Sequence, residues 1–246
     1  MNIDYRSLAI PRDFQKAFKG SDIRGAFEYE INAAVAYRVA VAFVHNFSLA
    51  KVIVARDMRV SSPALHEAFA AGVQDAGADV LDIGLAETPA LYYTSGAYNC
   101  AGVVITASHN AKGDNGFKLV TAGAVPVTRK TGLAAIKKAI QAELPPVAKK
   151  RGKRTKKNIL PEYIRYVVKK VSVPKNCQPL KVVIDAGNGT ASLALEALAK
   201  KIPLTIEPLF YELDGTFPNR ASNPTLAKNQ KAIIKKLKEG NYDFGV

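Results

Sequence analysis

The densest run of reactive side chains lies between Gly102 and Lys118, in Gly-Val-Val-Ile-Thr-Ala-Ser-His-Asn-Ala-Lys-Gly-Asp-Asn-Gly-Phe-Lys. A hydroxyl, an imidazole and an amide stand side by side at Ser108, His109 and Asn110, and Lys118 follows after a glycine turn. A serine so placed can act as a nucleophile or carry a phosphoryl group, His109 and Asn110 can position anionic oxygens, and Lys118 can neutralise phosphate charge. The same residues also suit a polar loop in which Ser and Asn satisfy backbone groups and Asn-Gly makes a turn. Residue chemistry alone leaves both readings open.

Positioning such a loop takes buried strands, and the flanking pattern supplies them. Helical periodicity alternates with short β-branched runs bounded by Gly, Pro or Asp, which predicts an α/β fold. Helix is predicted over 33–47, strand over 51–55, and a turn at 56–59. Ser61-Ser62-Pro63 reads as an N-cap with proline in the first turn, opening a helix to Ala76 that Gly77 closes. Strands follow at 78–83, 102–106 and 116–120, then an amphipathic helix over 129–142. Pro145-Pro146 and the basic run 149–157 read as a linker, because consecutive prolines stop a helix and like charges repel. Beyond it the cycle restarts, with helices near 161–171, 191–200 and 226–239 and strands at 180–185, 204–209 and 242–246. The expected organisation is a first domain at 1–148, a basic linker at 149–157 and a second domain at 158–246.

The 246 residues carry a formal net charge of +14. Residues 1–148 hold 15 basic and 13 acidic side chains, residues 149–157 seven basic and no acidic ones, and residues 158–246 hold 13 and eight. Such a charge suits nucleic acid, an anionic membrane or acidic small molecules, and does not choose among them. The basic run lacks interleaved aromatics, which disfavours a specific nucleic-acid site and leaves polyanion binding as a secondary reading. Cys100 and Cys177 have no metal-type spacing and the histidines number three, so a zinc cluster is not expected. Both cysteines are expected as small core hydrophobes. The start, Met1-Asn-Ile-Asp-Tyr-Arg6, lacks a signal-peptide layout, and no apolar run reaches about 18 residues, so a cytoplasmic protein without a membrane partner is expected.

Thr106-Ala-Ser-His-Asn110 with Asn115-Gly-Phe-Lys118 closely resembles the active-site serine loop of the α-D-phosphohexomutases, the phosphoglucomutases, phosphomannomutases and phosphoglucosamine mutases. Further matches fall in the family's order. Phe18-Lys-Gly-Ser-Asp-Ile-Arg-Gly25 resembles its N-terminal motif, Ala55-Arg-Asp-Met-Arg-Val-Ser-Ser-Pro63 the next loop, and Thr88-Pro89 precedes the strand leading to the serine. Asp185-Ala-Gly-Asn-Gly-Thr190 resembles the glycine turn opening the second domain, and Asp214-Gly-Thr-Phe-Pro-Asn219 with Asn223-Pro224 its later loop. The fold implied is two consecutive α/β/α mixed-sheet domains, the second incomplete at its C-terminal end.

The resemblance also implies a function. A phosphorylated Ser108 would give its phosphoryl group to a hexose monophosphate, and the resulting bisphosphate would return its other phosphate, interconverting hexose 1- and 6-phosphates. Arg24, His109 and Lys118 would be catalytic, Asn110 and Ser21 would contact substrate, and the phosphate on Ser108 would be a Mg²⁺ ligand. The Gly-Phe-Lys118 ending of the loop leans toward the phosphomannomutase/phosphoglucomutase branch. Two departures stand out: Ala111 replaces the family's proline after Ser-His-Asn, and Ser21 replaces an aromatic residue. The Asp-rich metal loop and the two later domains would lie beyond Val246, so the chain alone is expected to have little turnover and to need a C-terminal half. Other readings are a non-catalytic sugar-phosphate-binding or regulatory module and half of a split enzyme. The Asp185 turn could bind an anion, though a structural turn fits it better. Asp57 and Arg59 could support the serine loop, or Asp57 could pair locally with Arg56. His45 and His66 read as surface or packing residues.

Overall fold

The computed structural model describes residues 3–171 and 176–246; Met1 and Asn2 of the N-terminal stretch lie outside them. Contacts divide the chain into two units, Met1–Ala107 with Gly113–Asn158, and Ser108–Lys112 with Ile159–Val246. Among the described residues no helix is long and apolar enough to cross a membrane.

In the first unit the strands are β1 (Ile23–Ala26), β2 (Lys51–Arg56), β3 (Asp79–Leu85), β4 (Ala101–Ile105), β5 (Asp114–Thr121), β6 (Val125–Pro126) and β7 (Arg154–Lys156), with β-branched side chains concentrated in β2, β3 and β4. They form one sheet in the order β1-β5-β4-β2-β3-β7, with β6 on β5. β4, β2, β3 and β7 run parallel, while β5 is antiparallel to both β1 and β4. The crossovers are α2 (Ser62–Asp75) and α3 (Thr88–Tyr98), joined by α1 (Ala33–Asn46) and α4 (Ala134–Ala139). Alternation along the strands divides the core. Val52, Val54, Val103, Ile105 and Phe117 join α1 and α2 in one cluster, where Phe69 stacks on Phe117 with ring centroids 5.8 Å apart. Ile53 and Val104, on the opposite face, are buried on the side that carries α3.

Several expectations are corrected here. The basic run 149–157 is not merely a solvated linker, since β7 lies within it and pairs parallel with β3. Gly152 makes this possible: a Cβ there would sit 1.7 Å from the Ala78 carbonyl oxygen, so only glycine lets the chain pass that close. β1 and α3 also went unread. The apolar residues of α3 are spread around its axis rather than gathered on one face, so periodicity carries no signal, and Thr88-Pro89 opens this helix. The helix expected over 129–142 shortens to α4, because Gly132 at φ 141° breaks the helical path of the preceding wide turn. Ser61 occupies the N-cap position of α2 without making the side-chain cap bond, although Pro63 lies in the first turn as expected.

The second unit holds α5 (Leu160–Lys170), β8 (Leu180–Asp185), α6 (Ala191–Ala199), β9 (Leu204–Leu209), α7 (Lys231–Glu239) and β10 (Phe244–Gly245). Its three strands are parallel in the order β10-β8-β9. Ile159, Ile164, Val182, Val183 and Ile184 are its buried apolar side chains among the described residues. The helix expected over 226–239 begins later, at Lys231, after a short 3-10 turn over Ala227–Asn229. Cys177 is exposed and Cys100 half-buried, so neither is the core hydrophobe expected.

Candidate active site

β4 carries the serine loop out of the core. The strand pair persists to the loop, as the Thr106 amide donates to the Gly116 carbonyl at 3.0 Å, and Ala107 is fully buried. Ser108 then turns out to solvent with φ 54°, a left-handed conformation uncommon for a residue bearing a Cβ. Strain of this kind gathers at functional sites, where surrounding structure holds it. Ser108 Oγ lies 3.3 Å from His109 Nδ1, with both side chains exposed. Ser222 Oγ donates to the backbone carbonyls of His109 and Asn110, so residues 108–112 are tied within the second unit.

Arg24 and Lys118 come from neighbouring strands. Arg24 pairs with Gly116 across β1 and β5, and Lys118 follows two residues along, so both side chains project from the same face of the sheet. Gly116 leaves room for that arginine: a Cβ would stand 2.0 Å from the Ile23 carbonyl oxygen and 3.0 Å from Arg24 Cγ. The Arg24 guanidinium reaches the Ala107 carbonyl at 3.4 Å and pairs with Asp22 at 2.8 Å. Ser21 is exposed in the bend just before β1. Arg24 and Lys118 are thus brought together in the first unit, and Ser108, His109 and Asn110 at the loop tip.

Beneath β5 lies a buried polar network that sequence reasoning saw only in part. Asp57 accepts from the Arg59 amide and from Ser62 Oγ, and its second oxygen stands 3.3 Å from Arg59 Nε. Arg59, 1% exposed, also donates to the Asp114 carbonyl at 2.9 Å. Burial pulls its pKa down, opposed by Asp57 and Asp114. Asn115 donates to Ser61 and Ser62 Oγ, and its own oxygen accepts the Gly116 amide. The ion pair anticipated between Asp57 and Arg56 is absent from this arrangement: Arg56 takes the Asp57 backbone carbonyl, and the carboxylate serves Arg59. The network fixes the start of the strand that bears Lys118. Asn115 next to Gly116 was the available signal, masked by its equally good reading as a turn.

The turn after β8 is structural. Arg220 grips both oxygens of Asp185, at 2.6 and 2.9 Å, and Asp185 also accepts the Gly187 amide. Asn188, buried at φ 58°, donates to the Glu212 carbonyl and accepts from Asn219. Its polar groups are engaged internally, which favours the structural reading of the turn.

Among the described residues, no group of three His, Cys, Asp or Glu side chains could hold a metal ion. The donor set on this chain therefore does not fit Mg²⁺ by itself: Ser108 would offer a single ligand, where this cation takes near-octahedral oxygen coordination.

The comparisons with known proteins agree with this geometry. Residues 15–146 match the model of phosphoglucomutase/phosphomannomutase alpha/beta/alpha domain I, and residues 161–246 match that of domain II. A protein described as "Phosphohexose mutases" from Xanthomonas campestris pv. campestris is 38% identical over 235 residues, covering 94% of this chain and 51% of its own length. A phosphomannomutase of Escherichia coli is 35% identical over 237 residues, covering 93% of this chain and 52% of its own. A phosphoglucomutase/phosphomannomutase family protein of Burkholderia thailandensis, solved by crystallography, superposes with a TM-score of 0.84 at 32% identity, over 94% of this chain and 52% of that one. The chain spans about half the length of the curated relatives it matches. The two α/β units, the serine loop on β4 and these matches together make the chain a member of the phosphoglucomutase/phosphomannomutase family, comprising its domains I and II.

Proposed function

We propose that this chain carries the phosphoryl-accepting half of a cytoplasmic phosphomannomutase/phosphoglucomutase-type enzyme acting on hexose phosphates, with Ser108 as the carrier. The observation that supports the reading most is Ser108 itself, exposed at the end of a buried parallel strand in a left-handed backbone, with His109 Nδ1 3.3 Å from its hydroxyl. Phosphoryl transfer demands positioning and neutralisation of equatorial oxygens more than covalent help from the protein. Arg24 and Lys118, on one sheet face, supply fixed positive charge, and His109 and Asn110 supply donors beside the serine. In the forward half-reaction the P–O bond to Ser108 breaks as a P–O bond to the substrate hydroxyl forms, and the hydroxyl proton passes to a neighbouring base. Transfer of the second phosphate of the bisphosphate regenerates phosphoserine. Ser21 lies on the bend before Arg24, where it would meet substrate.

The relatives' family implies Mg²⁺ as cofactor, but with no sufficient donor set among the described residues, no step is assigned to the metal here. The same reasoning predicts little or no turnover of mannose 1-phosphate or glucose 1-phosphate by this chain alone and a requirement for a C-terminal half. A direct test is incubation, together with Mg²⁺ and a C-terminal half supplied by a relative of the family, with a hexose 1,6-bisphosphate radiolabelled in both phosphates, followed by peptide mapping. The label is expected on the peptide containing Ser108 and absent from Ser108→Ala. Equal labelling of the variant would sink the proposal.

A further inference from the structure

Asp22 has no part in the serine chemistry set out above, yet it stands against Arg24, a residue that chemistry requires. It lies in the bend directly before β1 with its side chain 11% exposed, and its carboxylate meets Nη2 of Arg24, itself 17% exposed, at 2.8 Å. The backbone beneath it is pinned. The Lys19 amide donates to the Asp22 carbonyl at 3.0 Å, and Phe18 and Ile23 form an antiparallel bridge across the bend. The other terminal nitrogen of Arg24, Nη1, donates at 3.4 Å to the carbonyl of Ala107, the fully buried residue that precedes Ser108 in the chain. A planar guanidinium held through both terminal nitrogens, by a carboxylate and a carbonyl, has its plane set with respect to the root of the serine loop.

The same arrangement recurs at the buried network beneath β5. Asp57-Met-Arg59 repeats the spacing of Asp22-Ile-Arg24, and there too the carboxylate pairs with its own arginine, at 3.3 Å. The two arginines act on each other: burial first, and the charge of Arg24 in smaller part, lower the Arg59 pKa. Like charges in proximity repel, so removing the carboxylate of either pair favours movement of its guanidinium away from the other.

We infer that Asp22 is a positioning residue for phosphoryl transfer, acting through Arg24; the inference rests on the reading of Ser108 as the phosphoryl carrier. A permanent carboxylate beside a phosphate-binding arginine weakens the attraction for phosphoryl oxygens in the ground state, so the pair is poorly built for affinity. The rate of transfer depends instead on fixed donors aimed where charge develops, which a held guanidinium provides and a swinging one does not. Asp22 thus lowers substrate affinity and raises the rate of the chemical step, a combination that a residue serving only the fold would not produce.

The test follows the concentration dependence of Ser108 labelling by glucose 1,6-bisphosphate in the reconstituted assay above. Asp22→Asn, which keeps the shape and removes the charge, is expected to slow the saturating rate about tenfold or more, while the half-saturating concentration stays equal or falls. Arg24→Ala should be slow as well, and adding Asp22→Asn to it should slow the saturating rate no further, as non-additivity of two groups acting as one requires. A second readout needs no turnover: in ¹⁵N spectra the Arg24 guanidinium should give separate Nη signals in wild type, from hindered rotation, and a single averaged signal in Asp22→Asn. Should Asp22→Asn fail to fold, Asp22→Glu, which keeps the charge but shifts it by a methylene, is expected to slow labelling without raising the half-saturating concentration. An unchanged saturating rate, a raised half-saturating concentration, additive effects of the two substitutions, or an Arg24 signal already averaged in wild type would each overturn the inference. An unlabelled wild type would instead overturn the reading of Ser108, and with it any role for Asp22 in transfer, whatever the Arg24 spectra show.

Discussion

Each unit has an arginine that grips an aspartate on a parallel strand, and the two grips stand on very different foundations. In the first unit Arg154 holds Asp82 on β3, and beneath it lies a cluster of aromatic and branched side chains drawn from α1, α2, α4 and most of the sheet. In the second, Arg220 holds Asp185 at the end of β8, over a few buried residues in a three-stranded sheet whose last helix, α7, buries none. The first grip fastens an edge strand to a core already complete. The second fastens the chain around a glycine turn where apolar packing is sparse, so polar contacts carry more of the local order. Hydrophobic burial scales with apolar area removed from water, and the difference should appear in stability and in local opening.

The largest effects should come from the two cores. Phe69→Ala removes a ring stacked on Phe117 and should destabilise the first unit by about 3–5 kcal/mol, read from denaturant unfolding. Ile184→Ala, from a thinner core, should cost about 2 kcal/mol. Amide exchange should show β8 and β9 opening at lower free energy than β2 and β4. Equal costs and equal protection would break the comparison.

The two grips themselves come next. Arg220→Ala strands a nearly buried carboxylate, leaving Asp185 with the Gly187 amide as its remaining neighbour of those described above, and should cost about 3 kcal/mol. Arg154→Ala should cost less, about 1–2 kcal/mol, because Asp82 keeps both His66 and the Gly84 amide. Acid sharpens the contrast. Burial pushes the Asp82 pKa up, but hydrogen bonds from His66, Arg154 and the Gly84 amide prevail and hold it well below its ordinary 3.8. The stability this group contributes is full above about pH 4 and lost as pH falls through the depressed folded value. The advantage of wild type over Asp82→Asn in thermal unfolding should therefore be constant from neutrality to about pH 5 and shrink below about pH 4. An advantage that grew on acidification would contradict this assignment.

Legibility in the sequence followed the physical signal. Strands β2, β3, β4, β5, β8 and β9 were readable because apolar and β-branched side chains recur along each between turn residues, and Ser108 and Lys118 because one such strand ends in a polar loop. β7 was not readable: Arg-Thr-Lys has no apolar alternation, and it forms a strand through Gly152 slipping past Ala78 and Arg154 finding Asp82, both long-range facts. Arg220 was hidden for the same reason, since nothing local links it to an aspartate 35 residues away. The lesson concerns polar residues in particular. Their partners lie far along the chain, whereas an apolar residue needs only a core.

The smallest expected effect tests whether the order of the serine loop is a property of the second unit. Ser222 Oγ has the carbonyls of both His109 and Asn110 as acceptors, within hydrogen-bond reach of one hydroxyl. One donor proton shared between two partly exposed carbonyls is worth no more than a single modest hydrogen bond, so Ser222→Ala should cost about 0.5–1 kcal/mol. That sum should not move the global unfolding midpoint of the first unit, where Phe69 and its neighbours dominate. It should instead appear as faster amide exchange over residues 109–112 alone, since those residues cross from a strand of one unit to the contacts of the other. Ser222→Thr, which keeps the hydroxyl, should restore the slower exchange. If Ser222→Ala leaves exchange in the loop unchanged, the left-handed turn at Ser108 is held by β4 and β5, and the serine loop belongs energetically to the well-packed unit after all.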